Sequence, residues 1–405
     1  MRHNPKVLML DPSGSSVHVS HNLCKELADA GCEVHVFTAP HWLGLLEACG
    51  SAVPYRLHIW FYRGTQKQSY TAKNKALKIM WRTIRLLQHA IAMMRIYCVA
   101  GGFDVVHTQI MPVPAFDCWV LRLIARRTPV VCTVHELVPH GSKHRRFVGM
   151  CFRALYRSAS LLYAYTEYTR QRLVEQGHSA QKIVKVPHGR LQHLLQLSET
   201  NGERGGANQP PTVLFIGNLR PDKGVDVLIR AAGYIREKVP DVRIEIAGTP
   251  GVDAKGLYEL VAELGVGDVI QLRLGHLPEV EFAAYLRRAH VLVLPYRRIE
   301  QSGVAIAGCT FGKALVATKC GGVEELIKEA GNGLLVPVDD VNALAEAITT
   351  LLLSDELRSH YEQKSQIYAD EVLGWPNIIE KTLAGYAIVL RPNAKSNRQM
   401  AGEEL

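Results

Sequence analysis

Absences narrow the possibilities first. The nine cysteines, at positions 24, 32, 49, 98, 118, 132, 151, 309 and 320, make no CxxC pair and no metal-ligand spacing. That argues against a zinc ribbon or a disulfide framework and predicts reduced, mostly buried thiols. No stretch reaches the roughly 18 uninterrupted apolar residues that a spanning helix needs. The opening MRHNPKVLMLDPSG offers only four apolar residues, from Val7 to Leu10, before Asp11, too few for a signal-peptide core. The expectation is a cytoplasmic protein able to touch a membrane but not to cross it. Disorder is excluded as well, since 47% of the 405 residues are apolar.

Acid is missing from one long stretch. Residues 63–100 hold no Asp or Glu, yet carry Arg63, Lys67, Lys73, Lys75, Lys78, Arg82, Arg85 and Arg95. Leu77, Met80, Trp81, Ile84, Leu87, Ile91 and Met94 recur there at helical spacing, with Lys78, Arg82, Arg85 and His89 on another face. The pattern predicts a basic amphipathic helix near 73–97. Two readings stand: the helix lies on an anionic membrane surface, or its apolar stripe packs on the first domain and its cations are merely solvated. A mixed outcome is favoured, because Arg122, Arg126, Arg127, Lys143, Arg145, Arg146, Arg153 and Arg157 make the same region basic in several places. The formal net charge of +9 follows this division: residues 1–200 hold 25 Lys and Arg against 11 Asp and Glu, and the rest hold 22 against 27.

The length suits two or three domains, and two is the expectation. An apolar strand from Val7 to Leu10 runs into a small-residue loop, then a helix with Val19, Leu23 and Leu27 on one face stops near Gly31, and a strand resumes from Glu33 to Phe37. That is one parallel crossover unit. Strands from Phe103 to His107, Pro129 to His135 and Leu161 to Tyr165 continue the pattern to about residue 190. Residues 197–211, LSETNGERGGANQPP, read as a linker. Beyond it, strands are expected at 212–216, 243–246, 269–272, 291–294, 314–318 and 333–336. Helices are expected at 225–237, 278–288, 323–329 and 341–353. The prediction is α/β, with two doubly wound Rossmann-like domains, 1–196 and 212–370, and a ligand in the cleft between them at the carboxyl ends of the strands. A C-terminal helix, 371–390, broken from its predecessor at Trp375-Pro376, would return to the first domain ahead of a polar tail, 391–405.

Two segments can carry chemistry. In Phe215-Ile216-Gly217-Asn218-Leu219-Arg220-Pro221-Asp222-Lys223-Gly224, Gly217 lets the backbone leave a strand and Arg220 and Lys223 sit beside a helix N-terminus, where an anion is favoured. A phosphate suits that turn, and so does a pair of solvated cations. In Pro295-Tyr296-Arg297-Arg298-Ile299-Glu300-Gln301-Ser302-Gly303-Val304, Glu300 and Gln301 can bind hydroxyls while Ser302 and Gly303 expose backbone donors. By itself this is also an ordinary capped helix start. A nucleic-acid partner ranks last: no recognition module is present, and the phosphate-type loop lies in the acidic half.

Together these segments resemble glycosyltransferase family 4, retaining enzymes of the GT-B fold that use nucleotide sugars. The resemblance rests on F-I-G-N-L-R-P-D-K-G at 215–224, I-A-G at 246–248, P-Y-R-R-I-E-Q-S-G-V at 295–304, F-G-K-A-L-V-A-T at 311–318, G-G-V-E-E-L at 321–326 and G-N-G-L-L-V-P-V-D-D at 331–340. D-V-V-H-T at 104–108, T-V-H-E-L at 133–137 and V-P-H-G at 186–189 add a looser likeness in the first half.

It implies that Arg220 and Lys223 neutralise the donor diphosphate without a metal, in keeping with the lack of an Asp-x-Asp cation site, and that no cofactor is used. It implies that His135 reaches the transferred sugar. Gly14, Gly217, Gly248, His276, Leu277, Glu300, Gln301, Ser302, Gly303 and Val304 are the implied donor contacts, with Gly275-His276-Leu277 near the nucleobase. Glu325 is assigned a structural bond to nearby backbone. One departure stands out. The family commonly carries a second glutamate for ribose, and here that place falls on Gly308, or on Ala307 by the register of Gly312. The sequence instead looks like a subgroup with a Gln-Ser-Gly turn. The function implied is transfer of a hexosyl unit from a nucleotide-diphosphate sugar to a glycan or lipid-linked acceptor at the cytoplasmic membrane face, in polysaccharide or glycolipid biosynthesis. The alternative is a non-catalytic nucleotide-sugar-binding or scaffold protein of the same fold.

Overall fold

The computed structural model describes residues 4–13, 17–43, 53–65, 74–138, 145–199, 209–251 and 254–391. Gly14, Lys67, Lys73, Lys143 and most of the expected linker and tail lie outside the described residues. The chain divides into two compact units: residues 1–165, 170–186 and 378–405 form one, and residues 166–169 and 187–377 the other.

The first unit is built on strands β1 (Lys6–Asp11), β2 (Glu33–Thr38), β3 (Arg56–Ile59), β4 (Val105–Thr108), β5 (Val130–Val134), β6 (Leu161–Ala164) and β7 (Ile183–Lys185), in the order β3-β2-β1-β4-β5-β6-β7. Every pairing is parallel. The inner strands read as near-continuous apolar runs because helices cover both faces of such a sheet. Val7 through Leu10, Val130 through Cys132 and Val134 are wholly or almost wholly buried. The edge strands β3 and β7 are absent from the expectation because their sequences, RLHI and IVK, are short and half exposed, leaving no apolar run to read.

The second unit carries β8 (Thr212–Ile216), β9 (Arg243–Gly248), β10 (Ile270–Leu274), β11 (Val291–Leu294), β12 (Ala314–Thr318) and β13 (Gly333–Val336), in the order β10-β9-β8-β11-β12-β13, again all parallel. Four of these match the expected bounds, since each buried apolar run ends at a glycine, proline or polar residue. The division between the units falls at Pro187, ahead of the linker expected at 197–211. A helix, Gln192–Glu199, takes in the first three residues of that expected linker, whose residues 200–208 lie outside the described residues, and packs beside the Glu279–Arg288 helix, while the backbone N–H of Arg190 donates to Leu373 O.

The basic helix spans Lys75–Ala100, and His89, expected on the face of Lys78, Arg82 and Arg85, is buried instead. Its buried face is His89, Ala92, Met93, Ile96 and Ala100. Leu77, Ile79, Met80, Leu86, Leu87, Ile91 and Met94 are exposed by between 40% and 62%, so most of the expected apolar stripe does not pack on the domain. Among the described residues no helix is long and apolar enough to cross a membrane. Eight described cysteines are free, four of them buried and Cys98 exposed.

Candidate active site

Doubly wound sheets bind ligands where the strand order reverses, outside the carboxyl ends of the strands. In the second unit that point lies between β8 and β11, and the two sequence-chosen segments leave these strands. Gly217 follows β8 with φ 126°, beyond what a side chain tolerates. A Cβ on Gly248, at the end of β9, would collide with the Gly217 carbonyl oxygen, so the backbone leaves both strands close together only because both are glycine. The chain then makes a short turn, Pro221–Lys223, before the Val225–Lys238 helix.

Lys223 Nζ stands 3.9 Å from the centre of the Tyr296 ring. Tyr296 is 1% exposed, and burial keeps its hydroxyl protonated. Arg220 makes a two-pronged pair with Asp222, Nε to Oδ1 at 2.9 Å and Nη2 to Oδ2 at 2.8 Å. Arg297, which sequence reasoning did not single out, holds this turn. It forks onto Asp226 at 2.9 and 2.7 Å, donates to Asp339 at 2.6 Å and to the Pro221 carbonyl at 2.7 Å. The Asp226 carboxyl falls below its ordinary range, burial opposing and the Arg297 bonds outweighing it. The signal available in the sequence was Asp226 in the first turn of the Val225–Lys238 helix, an acid that Arg297, 71 residues on, meets only in the fold.

The segment after β11 supplies the other wall. Ser302 caps the Gly303–Thr310 helix, its Oγ accepting the Ala305 N–H at 3.2 Å, and the space beyond Gly303 Cα is open. Val304 Cγ2 lies 3.3 Å from where a Gly217 side chain would begin. Glu300 is 7% exposed, with Arg298 at 4.0 Å. Gln301 Nε2 is buried without a hydrogen-bond partner, a costly state for an amide donor unless something else accepts from it. The loop is pinned from below: a Cβ on Gly321 or Gly322 would strike the carbonyl oxygens of Ile299 or Glu300. Glu325 accepts the backbone N–H groups of Glu167 at 2.6 Å and Tyr168 at 2.8 Å, a structural bond of the kind the sequence suggested. His276 is exposed after β10, while Leu277 packs against the core.

Gly308 and Ala307 sit in a helix whose last six residues are all buried. A Cβ on Gly308 would lie 2.5 Å from Leu292 Cδ2. The place of the second glutamate therefore faces β11 and the core.

In the first unit, His135 follows β5. Its Nε2 lies 2.8 Å from Gln109 Oε1, and its ring meets Tyr165 edge-on at 5.2 Å. Beside it is a cavity of about 230 Å³ lined by Ile110, Met111, Phe152 and Leu155 together with Gln109, Thr133, His135, Glu136 and Tyr156. His188, of the V-P-H-G segment, is buried in the second unit, where its Nδ1 donates to Gly189 O at 2.7 Å. Burial pushes its imidazole down to about 4, so it is a neutral structural group.

Residues 12–190 match the family model described as Glycosyltransferase Family 4, and residues 199–367 match Glycosyl transferases group 1. A phosphatidyl-myo-inositol mannosyltransferase of Mycolicibacterium smegmatis is 26% identical over 97% of this chain and 97% of its own. A D-inositol 3-phosphate glycosyltransferase of Kribbella flavida is 26% identical over 93% of this chain and 91% of its own. HepE of Anabaena, solved with UDP and glucose, superposes with a TM-score of 0.69 at 19% identity, covering 95% of this chain and 99% of that one. Two doubly wound parallel-sheet units of this kind are the GT-B fold. The chain is a GT-B glycosyltransferase, family 4-like.

Proposed function

We propose that the protein transfers a hexosyl unit from a nucleotide-diphosphate sugar to a glycan or lipid-linked acceptor, with retention of configuration and without a metal or other cofactor. The observation that carries this reading is the convergence, at the strand-order reversal of one sheet, of Lys223, Arg220, the open Gly303 helix start and the unpartnered Gln301 amide. Diphosphate departs toward Arg220 and Lys223, whose positive charge stabilises the leaving group. The acceptor oxygen bonds to the same face of the sugar carbon, and its proton passes to the departing phosphate. His135 serves the transferred sugar, Glu300 and Gln301 its hydroxyls, and the loop at Gly275-His276-Leu277 the base. The Gln-Ser-Gly turn takes over contacts that the paired glutamates make elsewhere in the family. HepE, solved with UDP and glucose, supports the donor class.

The acceptor side is read as peripheral to the inner face of an anionic membrane. The exposed Leu86, Leu87 and Ile91 on the basic helix, together with Trp119, Phe147 and Met150, support this, as does the acceptor in the name of the Mycolicibacterium relative. A thermal-shift panel of UDP-, GDP- and ADP-sugars, followed by transfer assays with whichever stabilises the protein, tests the activity. Stabilisation without transfer or donor hydrolysis would favour a non-catalytic binder instead. Anionic liposome flotation of Lys78→Glu, Arg82→Glu tests the surface, with Arg85 left intact because its guanidinium covers the Tyr62 ring at 4.5 Å. Undiminished flotation would refute it.

A further inference from the structure

Residues 107 and 109 stand two apart at the end of β4, so their side chains leave the same side of the strand. His107 is wholly enclosed. Its Nδ1 lies 2.7 Å from Tyr386 Oη, and its Nε2 lies 2.7 Å from Thr133 Oγ1. Burial pushes its imidazole down to about 3, so it is neutral at working pH. Gln109 is 4% exposed. Its Nε2 donates to Met9 Sδ at 3.5 Å and lies 3.4 Å from His107 Nε2. A thioether sulfur only accepts, so this end of the amide is the NH2 end, and Oε1 turns toward His135 Nε2 at 2.8 Å. A carbonyl oxygen also only accepts. His135 Nε2 therefore carries a proton, and in the neutral ring Nδ1 is the acceptor nitrogen. The Tyr165 hydroxyl, 3.5 Å from the same Nε2, is kept protonated by its burial and is too distant to compete with Gln109.

We infer that Gln109 is a positioning residue that fixes the tautomer of His135, so that His135 meets a hydroxyl of the transferred sugar as a hydrogen-bond acceptor through Nδ1. This rests on the reading of His135 as a sugar contact. The chain of bonds Tyr386, His107, Gln109, His135 gives the C-terminal helix a part in the site, because Tyr386 anchors the innermost imidazole. Gln109 acts only through His135 and touches no reacting atom.

Two readouts separate the parts of this proposal. Histidine ring nitrogen and proton correlation spectra of the 15N-labelled full chain, with the His135 signal identified by its loss in His135→Ala, report the tautomer without reference to activity. The wild type shows a protonated Nε2. Gln109→Met preserves length and apolar volume but removes the acceptor. It shifts His135 toward Nδ1–H and lowers kcat by about tenfold or more while donor KM stays within about twofold. Gln109→Glu restores an acceptor oxygen, and with it the Nε2–H form and most of kcat. An Nδ1–H ring in the wild type, an unchanged tautomer in Gln109→Met, or a changed tautomer with unchanged kcat each overturns the inference. Wild-type turnover in His135→Ala would instead place the failure in the reading of His135 itself.

Discussion

Asp117 accepts a hydrogen bond from His89 Nε2 across 2.6 Å, with His89 1% exposed and Asp117 fully buried. The pair ties the basic Lys75–Ala100 helix to the Pro114–Ile124 helix. Tyr62 Oη bonds the other ring nitrogen at 2.9 Å, and Asp117 Oδ2 accepts the Val113 N–H at 3.0 Å. The helix that presents so much apolar surface is thus held by a polar bolt, with Ala92, Met93 and Ile96 packed beside it.

Burial raises the Asp117 carboxyl, and the bonds from His89 and Val113 pull it back only in part. A carboxyl raised in the folded state contributes stability while protonated and loses it as pH rises through the folded value. His89→Ala removes the larger of the two offsets. We expect it to cost about 3–5 kcal/mol near pH 8, as for a buried charge deprived of its partner, and the deficit relative to wild type to shrink as pH falls toward the carboxylate range. Urea unfolding across pH checks this; a deficit independent of pH would refute it.

Lys223 and Arg297 are expected to separate chemistry from scaffold. Lys223 Nζ lies over the Tyr296 ring, and Lys223→Ala should change the melting temperature little while kcat falls by about a hundredfold or more, as when one charge-stabilising group is lost. Arg297→Ala releases the Pro221 carbonyl of the turn and leaves Asp226 and Asp339 without their shared cation, raising donor KM and costing about 1–3 kcal/mol. Steady-state kinetics with parallel thermal melts decides, and near-normal turnover by Lys223→Ala would end its assignment.

Glu325→Ala removes the acceptor for two backbone N–H groups. The loss should be about 1–2 kcal/mol, in line with other lost caps, with kcat preserved well below the melting temperature. A variant as stable as wild type in denaturant would show that the bonds at Glu167 and Tyr168 carry nothing.

The second sheet was legible because its central strands β8, β11 and β12 are buried apolar runs, and the cations of the turn were legible because Arg220 and Lys223 flank a helix start. What holds them was not. Asp222 and Arg297 read as ordinary surface charges until the fold folds them onto that turn. His89 fell among cations on a helical wheel, and only Asp117, 28 residues on, makes it a core residue. Gln109 had no local signature at all, since its role depends on Met9, His107 and His135, which meet across three strands.

The place of the missing second glutamate gives a prediction of opposite sign to a simple loss of function. Gly308 fits against Leu292 because it has no side chain, and restoring a carboxylate there would bury it in a wholly apolar helix face. Gly308→Ala should already cost about 1–3 kcal/mol by overpacking, and Gly308→Glu should lower the melting temperature too far for a soluble folded protein rather than tighten donor binding. A folded, soluble Gly308→Glu variant with raised donor affinity would show that the helix can turn this position toward ribose.

The exposed helix face makes the last case. Leu87 and Ile91 are 60% and 62% exposed, so replacing both with glutamine, a good helix former, should change folding stability by no more than about 0.5 kcal/mol at each position. If these side chains enter a bilayer, each change forfeits about 1.5–3 kcal/mol of transfer energy, and binding to anionic vesicles should fall at least about tenfold while turnover of a water-soluble acceptor is unaffected. Cosedimentation with vesicles of graded anionic lipid content distinguishes this from pure charge attraction: equal loss at every lipid charge marks insertion, and no loss at all leaves Leu87 and Ile91 outside the membrane contact.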